Sequence, residues 1–264
     1  MKIPFTKAHG DRNDFLITRR EDIPADADCA ALSIAICDRH TGVGADGWIL
    51  VSRSAEADAA IELYNSDGSR SELSGNGTRC VALYLLDQRP AETLRILTGA
   101  GLKSLRFLEK RDRRHIFEMN MGRARIEELR ANIESADATL VNVGNPQCAV
   151  FVPDFDLDWR ALGQKIERHA RFPDRTNVSF VLVLDPHMIE VRFWERGAGE
   201  TMSSGTGSTG AAAASAARGL VRSPVEVRTP AGSLTVRWEN DEIFLAGPAE
   251  IVARGEFFAE GGSS

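Results

Sequence analysis

Ser74-Gly75-Asn76-Gly77-Thr78 recurs as Ser204-Gly205-Thr206-Gly207-Ser208, and each copy leads into a run of small residues that reads as a helix. A hydroxyl residue at a helix start can cap the first turn. The alternating glycines after it leave backbone N–H groups uncovered, where the positive end of the helix dipole favours an anion. The copies lie 130 residues apart in a chain of 264. Two such ends, one per half, suit a single small anionic ligand held from opposite sides.

The likeness between the halves extends upstream of the motif. Ile61-Glu62-Leu63-Tyr64 parallels Ile189-Glu190-Val191-Arg192, both alternating strand patterns that lead into the Ser-Gly motif. Before them, Thr41-Gly42-Val43-Gly44 precedes Trp48-Ile49-Leu50-Val51, as Thr176-Asn177-Val178-Ser179 precedes Phe180-Val181-Leu182-Val183. Earlier still, His9-Gly10 and Asn13 precede Phe15-Leu16-Ile17, as Gly144-Asn145-Pro146 precedes Ala149-Val150-Phe151-Val152. Segments paired in the same order at so long an offset mark a duplicated domain, since a solenoid repeats every 20–50 residues or so.

Each half therefore reads as short strands, a glycine turn, one small-residue helix and further strands, giving an α/β (α+β) fold of two pseudo-symmetric lobes. A helix as small as Ala211–Ala217 lets strands approach closely, so each lobe is expected to be a mixed sheet wrapped around a central helix. Residues 1–122 form the expected N-terminal lobe, completed by the segment 252–264, and 123–251 the C-terminal lobe. Leu94–Leu108 and His115–Met119 read as strands around a charged turn at Glu109–Arg114. Trp159–Arg168 reads as a surface helix, and Val225–Val236 as a hairpin turning at Pro230-Ala231-Gly232.

Composition narrows the function classes. Hydrophobic residues make 43% and charged residues 27% of the chain, an ordinary globular balance. A net charge of −6 disfavours nucleic acid or an anionic membrane as partner. The four cysteines, Cys29, Cys37, Cys80 and Cys148, form no CxxC pair or zinc cluster, and reduced thiols in a cytoplasmic protein are expected. Neither a signal-peptide core nor a membrane-length apolar run is visible. No metal cluster or nucleotide loop is visible, and the glycine motifs lack the lysine of a phosphate-binding loop; no cofactor is expected.

Polar residues gather at the strand ends that the repeat superimposes: Asn13, Asn65, Asn76, Asn145, Asn177, Glu195, Arg196 and Thr206. One asparagine in a turn is ordinary. Five at related points in both halves, with an arginine and uncovered helix N–H groups, suit the carboxylates and ammonium of an amino acid. Two mirror-related elements around one ligand suggest inversion of a carbon centre, with a base on one face and an acid on the other. Helix ends would steady the carboxylate as charge builds on it.

HGDRNDF at 9–15, DRHTGVGADG at 38–47, YNSDGSRSELSGNGTRC at 64–80, VGNPQ at 143–147, Asn177 and ERGAGETMSSGTGSTGAA at 195–212 together resemble the diaminopimelate epimerases. These cofactor-independent enzymes interconvert LL- and meso-diaminopimelate in lysine and cell-wall biosynthesis. The resemblance implies two similar α/β lobes with the active site in the cleft between them. It further implies substrate binding by Asn13, Asn65, Asn145, Asn177, Glu195 and Arg196, with Gly75-Asn76 and Gly205-Thr206 offering N–H groups to the α-carboxylate. Asn65, Asn177 and Arg196 would meet the second α-centre. A small-molecule amino-acid substrate is the implied partner, and a homodimer is the assembly considered.

At the two positions where that family places its acid/base cysteines, this chain has Ser74 and Ser204. Gln147 stands where a histidine is usual, and Gly47 where a glutamine sometimes stands. A thiol ionises near pH 8.5 and an alcohol much nearer the 15.7 or so of water. A gap on the order of five units costs about 7 kcal/mol, and a helix end returns at most about 2 kcal/mol. The expected catalytic set is therefore Ser74 and Ser204 with Glu195 as an additional base. Two alternatives stand beside it: a non-catalytic amino-acid-binding homologue, and an isomerase of the same fold using a carboxylate base on another substrate. Cys80 and Cys148 receive no catalytic role.

Overall fold

The computed structural model describes residues 1–259. It is a mixed α+β structure, rich in sheet, that divides into two compact units. One comprises Met1–Met119 and the chain from Gly247 onward, the other Asn120–Ala246. Of the expected closing segment 252–264, residues 260–264 lie outside the described residues.

In the first unit β1 (Lys2–Gly10) and β2 (Asn13–Arg19) form an antiparallel pair. A crossover through α1 (Cys29–Cys37) lays β3 (Gly47–Ser52) parallel to β2, and β4 (Ala59–Asn65) returns antiparallel to β3. The two-residue β5 (Arg70–Ser71) leads into α2 (Gly75–Gln88), a second crossover that delivers β6 (Thr93–Thr98) parallel to β4. Then β7 (Gly101–Arg111) and β8 (Arg114–Gly122) follow in antiparallel succession.

The second unit repeats this plan element for element. After β9 (Arg125–Ile133) come the antiparallel β10 (Ala136–Asn142) and β11 (Pro146–Phe151). The crossover α3 (Trp159–Glu167) delivers β12 (Asn177–Asp185) parallel to β11, and β13 (Met188–Glu195) pairs antiparallel with it. The short β14 (Gly199–Thr201) precedes α4 (Gly205–Ala217), which crosses to β15 (Val225–Thr229) parallel to β13. Finally β16 (Gly232–Glu239) and β17 (Glu242–Phe258) follow antiparallel, and the distal half of β17 pairs with β1 in the first unit. The segments that match in sequence thus become matching strands: β2 with β11, β3 with β12, β4 with β13.

Burial explains the small-residue helix. Every residue of α4 from Gly207 to Ser215 is buried, and its alanines pack against Val141, Ala149, Val181, Val191 and Phe193 of the surrounding strands. A methyl on Gly207 would stand 2.8 Å from the Phe193 ring, so sheet and helix approach as closely as a missing side chain permits. On its other side the sheet buries Trp159 and Ile166 of the amphipathic α3 against Phe180, Val178 and Leu140. In the first unit Ile36 and Cys37 of α1 pack on Leu16, Trp48 and Leu50 in the same manner.

Two local readings change. The stretch Leu94–Leu108 is two strands, broken at Gly99-Ala100 because Gly101 takes a φ of +87° and a methyl on Gly99 would lie 2.9 Å from Glu72 Cα. The charged run Glu109–Arg114 is mostly strand, its turn confined to Asp112 and Arg113. Helix α3 and the hairpin across Pro230-Ala231 lie where the sequence puts them. Among the described residues no helix is long and apolar enough to cross a membrane.

Candidate active site

The first unit carries Ser74 as the N-cap of α2. Its backbone is extended (φ −127°, ψ 120°) and its Oγ accepts the N–H of Gly77 at 3.1 Å. That bond satisfies one of the free donors of the first turn. Asn76 is buried, and its side chain is committed within the protein: Nδ2 donates to Asn13 Oδ1 at 3.1 Å and Oδ1 accepts Arg79 Nη2. What Asn76 offers a ligand is therefore its main-chain N–H. Asn13, at the start of β2, donates in turn to Asp46 Oδ2 at 2.7 Å. Arg39 bridges Asp46 and Asp14, and Lys7 lies 3.0 Å from Asp14. Burial alone would raise the Asp14 carboxyl, but the bonds from Arg39 and Lys7 outweigh it and hold the group below its ordinary range. Asn65 ends β4 opposite Gly47, and its Nδ2 donates to Ser69 Oγ at 2.9 Å. A side chain at Gly47 would collide with Tyr64 O, 2.8 Å from the site of its first carbon, so glycine is required there by packing.

Ser204 occupies the same place in the second unit, capping α4 with φ −139° and ψ 122° and accepting Gly207 N–H at 3.1 Å. Asn145 Nδ2 reaches Thr206 Oγ1 at 3.5 Å, and Gln147 Nε2 donates to Asn145 Oδ1 at 2.7 Å. The buried Gln147 thus fixes which way the Asn145 amide points, leaving its N–H₂ as the outward donor. Asn177 Nδ2 donates to Pro146 O at 3.1 Å and its Oδ1 accepts the N–H of Arg196 at 3.0 Å. Arg196 is exposed, with one guanidinium N–H on Asp174 O at 3.1 Å. Glu195 ends β13 and is half-buried. Burial raises its pKa above the ordinary carboxylate value, while the hydroxyls of Ser204 and Thr201 beside it pull the other way.

Within each unit the expected residues therefore meet: Asn13 with Asn76 in one, Asn145 with Thr206, Asn177 with Arg196 and Glu195 with Ser204 in the other. Arg79, Asp11, Thr201 and Glu167 were missed. Arg79 is wholly buried in α2 and lies 3.6 Å from the buried Asp11, with Nε donating to Pro248 O at 3.3 Å. A lone charge inside the small and apolar run Gly77–Leu86 was the available signal. Cys80 and Cys148 are buried, and burial pushes both thiols up to about 12, so they stay protonated.

The family model described as Diaminopimelate epimerase matches residues 5–127 and 139–252. The diaminopimelate epimerase of Pelotomaculum thermopropionicum is 39% identical over 275 residues, covering 96% of this chain and 98% of that protein. That of Desulforudis audaxviator is 40% identical over 274 residues, with the same coverages of 96% and 98%. Solved structures with this fold include a Bacillus anthracis phenazine biosynthesis protein of the PhzF family (TM-score 0.74, 15% identity, 98% of this chain and 100% of that one). A hydroxyproline epimerase from Agrobacterium vitis also shares it (TM-score 0.71, 18% identity, 97% and 92% covered). With both halves of its repeat matched and the similarity running nearly end to end, the chain belongs to the diaminopimelate epimerase family.

Proposed function

We propose that this protein inverts the α-carbon of an amino acid without a cofactor, interconverting LL- and meso-diaminopimelate for lysine and peptidoglycan precursors. The observation that carries the reading is the carboxyl of Glu195, half-buried, raised in pKa and set beside the N-capping Ser204. An acid/base group is most effective when its pKa approaches the working pH. Ser204 passes its hydroxyl proton to Glu195, and the oxyanion so formed takes the α-proton. The electron pair left on the α-carbon spreads into the substrate carboxylate, which the N–H groups of Gly205 and Thr206 stabilise. In the reverse direction Glu195 returns the proton through Ser204.

Ser74 serves the opposite face, delivering its hydroxyl proton and recovering one from solvent. At the position that the repeat aligns with Glu195 this half has Asn65, an amide that takes no proton. The two faces are thus unequal. Asn65, Asn177 and Arg196 hold the distal amino-acid group, and Asn13 and Asn145 the reacting one. A cytoplasmic setting accords with four free cysteines, and a homodimer is part of the proposal.

The test is α-proton exchange in D2O, followed by NMR for each isomer. We expect exchange of both, faster for the isomer whose proton is taken by Ser204, and loss of that faster exchange in Glu195→Gln. Saturable binding without any exchange would refute the epimerase reading and favour an amino-acid-binding protein.

A further inference from the structure

Glu167, the last residue of α3, is 3% exposed and touches none of the expected substrate contacts, yet three donors converge on its carboxylate. Oε2 accepts the indole N–H of Trp194 at 3.0 Å; Oε1 accepts the backbone N–H of Gly197 at 3.0 Å and Arg175 Nη1 at 3.4 Å. Burial acts to raise the pKa of this carboxyl, and the indole, the amide and the Arg175 charge outweigh it, keeping the group ionised.

Trp194 and Gly197 flank Glu195-Arg196 on either side, so the two bonds grip the turn that carries both residues. Gly197 and Gly199 take φ of +79° and +77°, and Ala198 N–H closes the turn on Glu195 O at 3.1 Å. The main-chain carbonyl of Glu167 also accepts the N–H of Thr176 at 3.3 Å, immediately before Asn177. Asn177 then receives Arg196 N–H. One side chain with its own backbone therefore ties the end of β13 to the start of β12, the two segments that present Glu195, Arg196 and Asn177. A buried carboxylate is a costly filler where an apolar residue would pack. Its value here lies in direction, since each oxygen has a fixed partner.

We infer that Glu167 is a positioning residue, which sets the Glu195–Arg196 turn in the conformation that receives the distal amino-acid group of the substrate. The inference rests on the function proposed above.

The test compares the full-length protein with Glu167→Gln, in which one amide N–H₂ must face a donor. In 15N NMR the Trp194 indole and the Glu195–Gly197 amide resonances are expected to move. KM for diaminopimelate is expected to rise at least tenfold and kcat to fall as well, because the same turn carries Arg196 and the proton acceptor Glu195. Arg175→Met, which leaves both turn donors in place, is expected to change KM less than twofold. If Glu167→Gln does not fold, Trp194→Phe removes one grip alone and is expected to raise KM three- to tenfold. Unmoved turn resonances in Glu167→Gln, an unchanged KM, or an equal loss in Arg175→Met would each overturn the inference. Should the wild type neither bind nor exchange diaminopimelate, the function fails separately, and the turn resonances still decide what Glu167 does.

Discussion

Replacing Ser74 and Ser204 together by cysteine sets chemistry against stability. Both Oγ atoms accept a backbone N–H at 3.1 Å from the first turn of their helices, so either anion, thiolate or alkoxide, receives the same help from the helix end. That contribution cancels, and the intrinsic difference remains: on the order of five pKa units, or about 7 kcal/mol. With the proton half transferred in the transition state, about half of this is expressed, roughly 3.5 kcal/mol, which is a few hundredfold in rate. The same change removes two caps, at about 1 kcal/mol each, which lowers the melting temperature by roughly 4–8 °C for a chain of this size. The assay is α-proton exchange in D2O beside thermal unfolding of the same samples. We expect faster exchange from a less stable protein, with each single variant gaining less than the pair. A gain below threefold in a folded double variant would refute the assignment of proton transfer to these two helix ends.

Two further outcomes follow from burial. Arg79→Met leaves the buried Asp11 without its cation, and Asp11→Asn leaves the wholly buried Arg79 guanidinium without its carboxylate; each should cost about 3–5 kcal/mol in urea unfolding. The Asp11 carboxyl is raised by burial more than Arg79, Arg114 and His9 lower it, so its folded pKa exceeds the unfolded one. Its contribution to stability is then complete below the unfolded value and is lost as pH rises through the folded value; a stability gap between wild type and Asp11→Asn that did not change with pH over this range would contradict the assignment. Gly207→Ala places a methyl 2.8 Å from the Phe193 ring and 3.0 Å from Ser204 Cβ, and should cost about 1–3 kcal/mol by overpacking. Gly205→Ala meets only Leu245 Cδ2 at 3.3 Å and serves as its control.

What the sequence determined by itself was whatever depends on near neighbours along the chain. A capping hydroxyl three residues ahead of the amide it binds, and glycines that admit close packing, are local facts, so both helix starts and the repeat were legible. The candidate asparagines came from the same register. Helix α1 was not legible, because Cys29–Cys37 is apolar on nearly all sides and shows no helical face. Only the tertiary structure decided which polar groups are spent inside the protein. Asn76 gives its side chain to Asn13 and Arg79; Gln147 turns the Asn145 amide; Glu167 grips the turn after β13 from 30 residues upstream. The physical reason is the same in each case. A buried donor or acceptor must find its partner wherever the fold places one, and sequence separation carries no information about that distance.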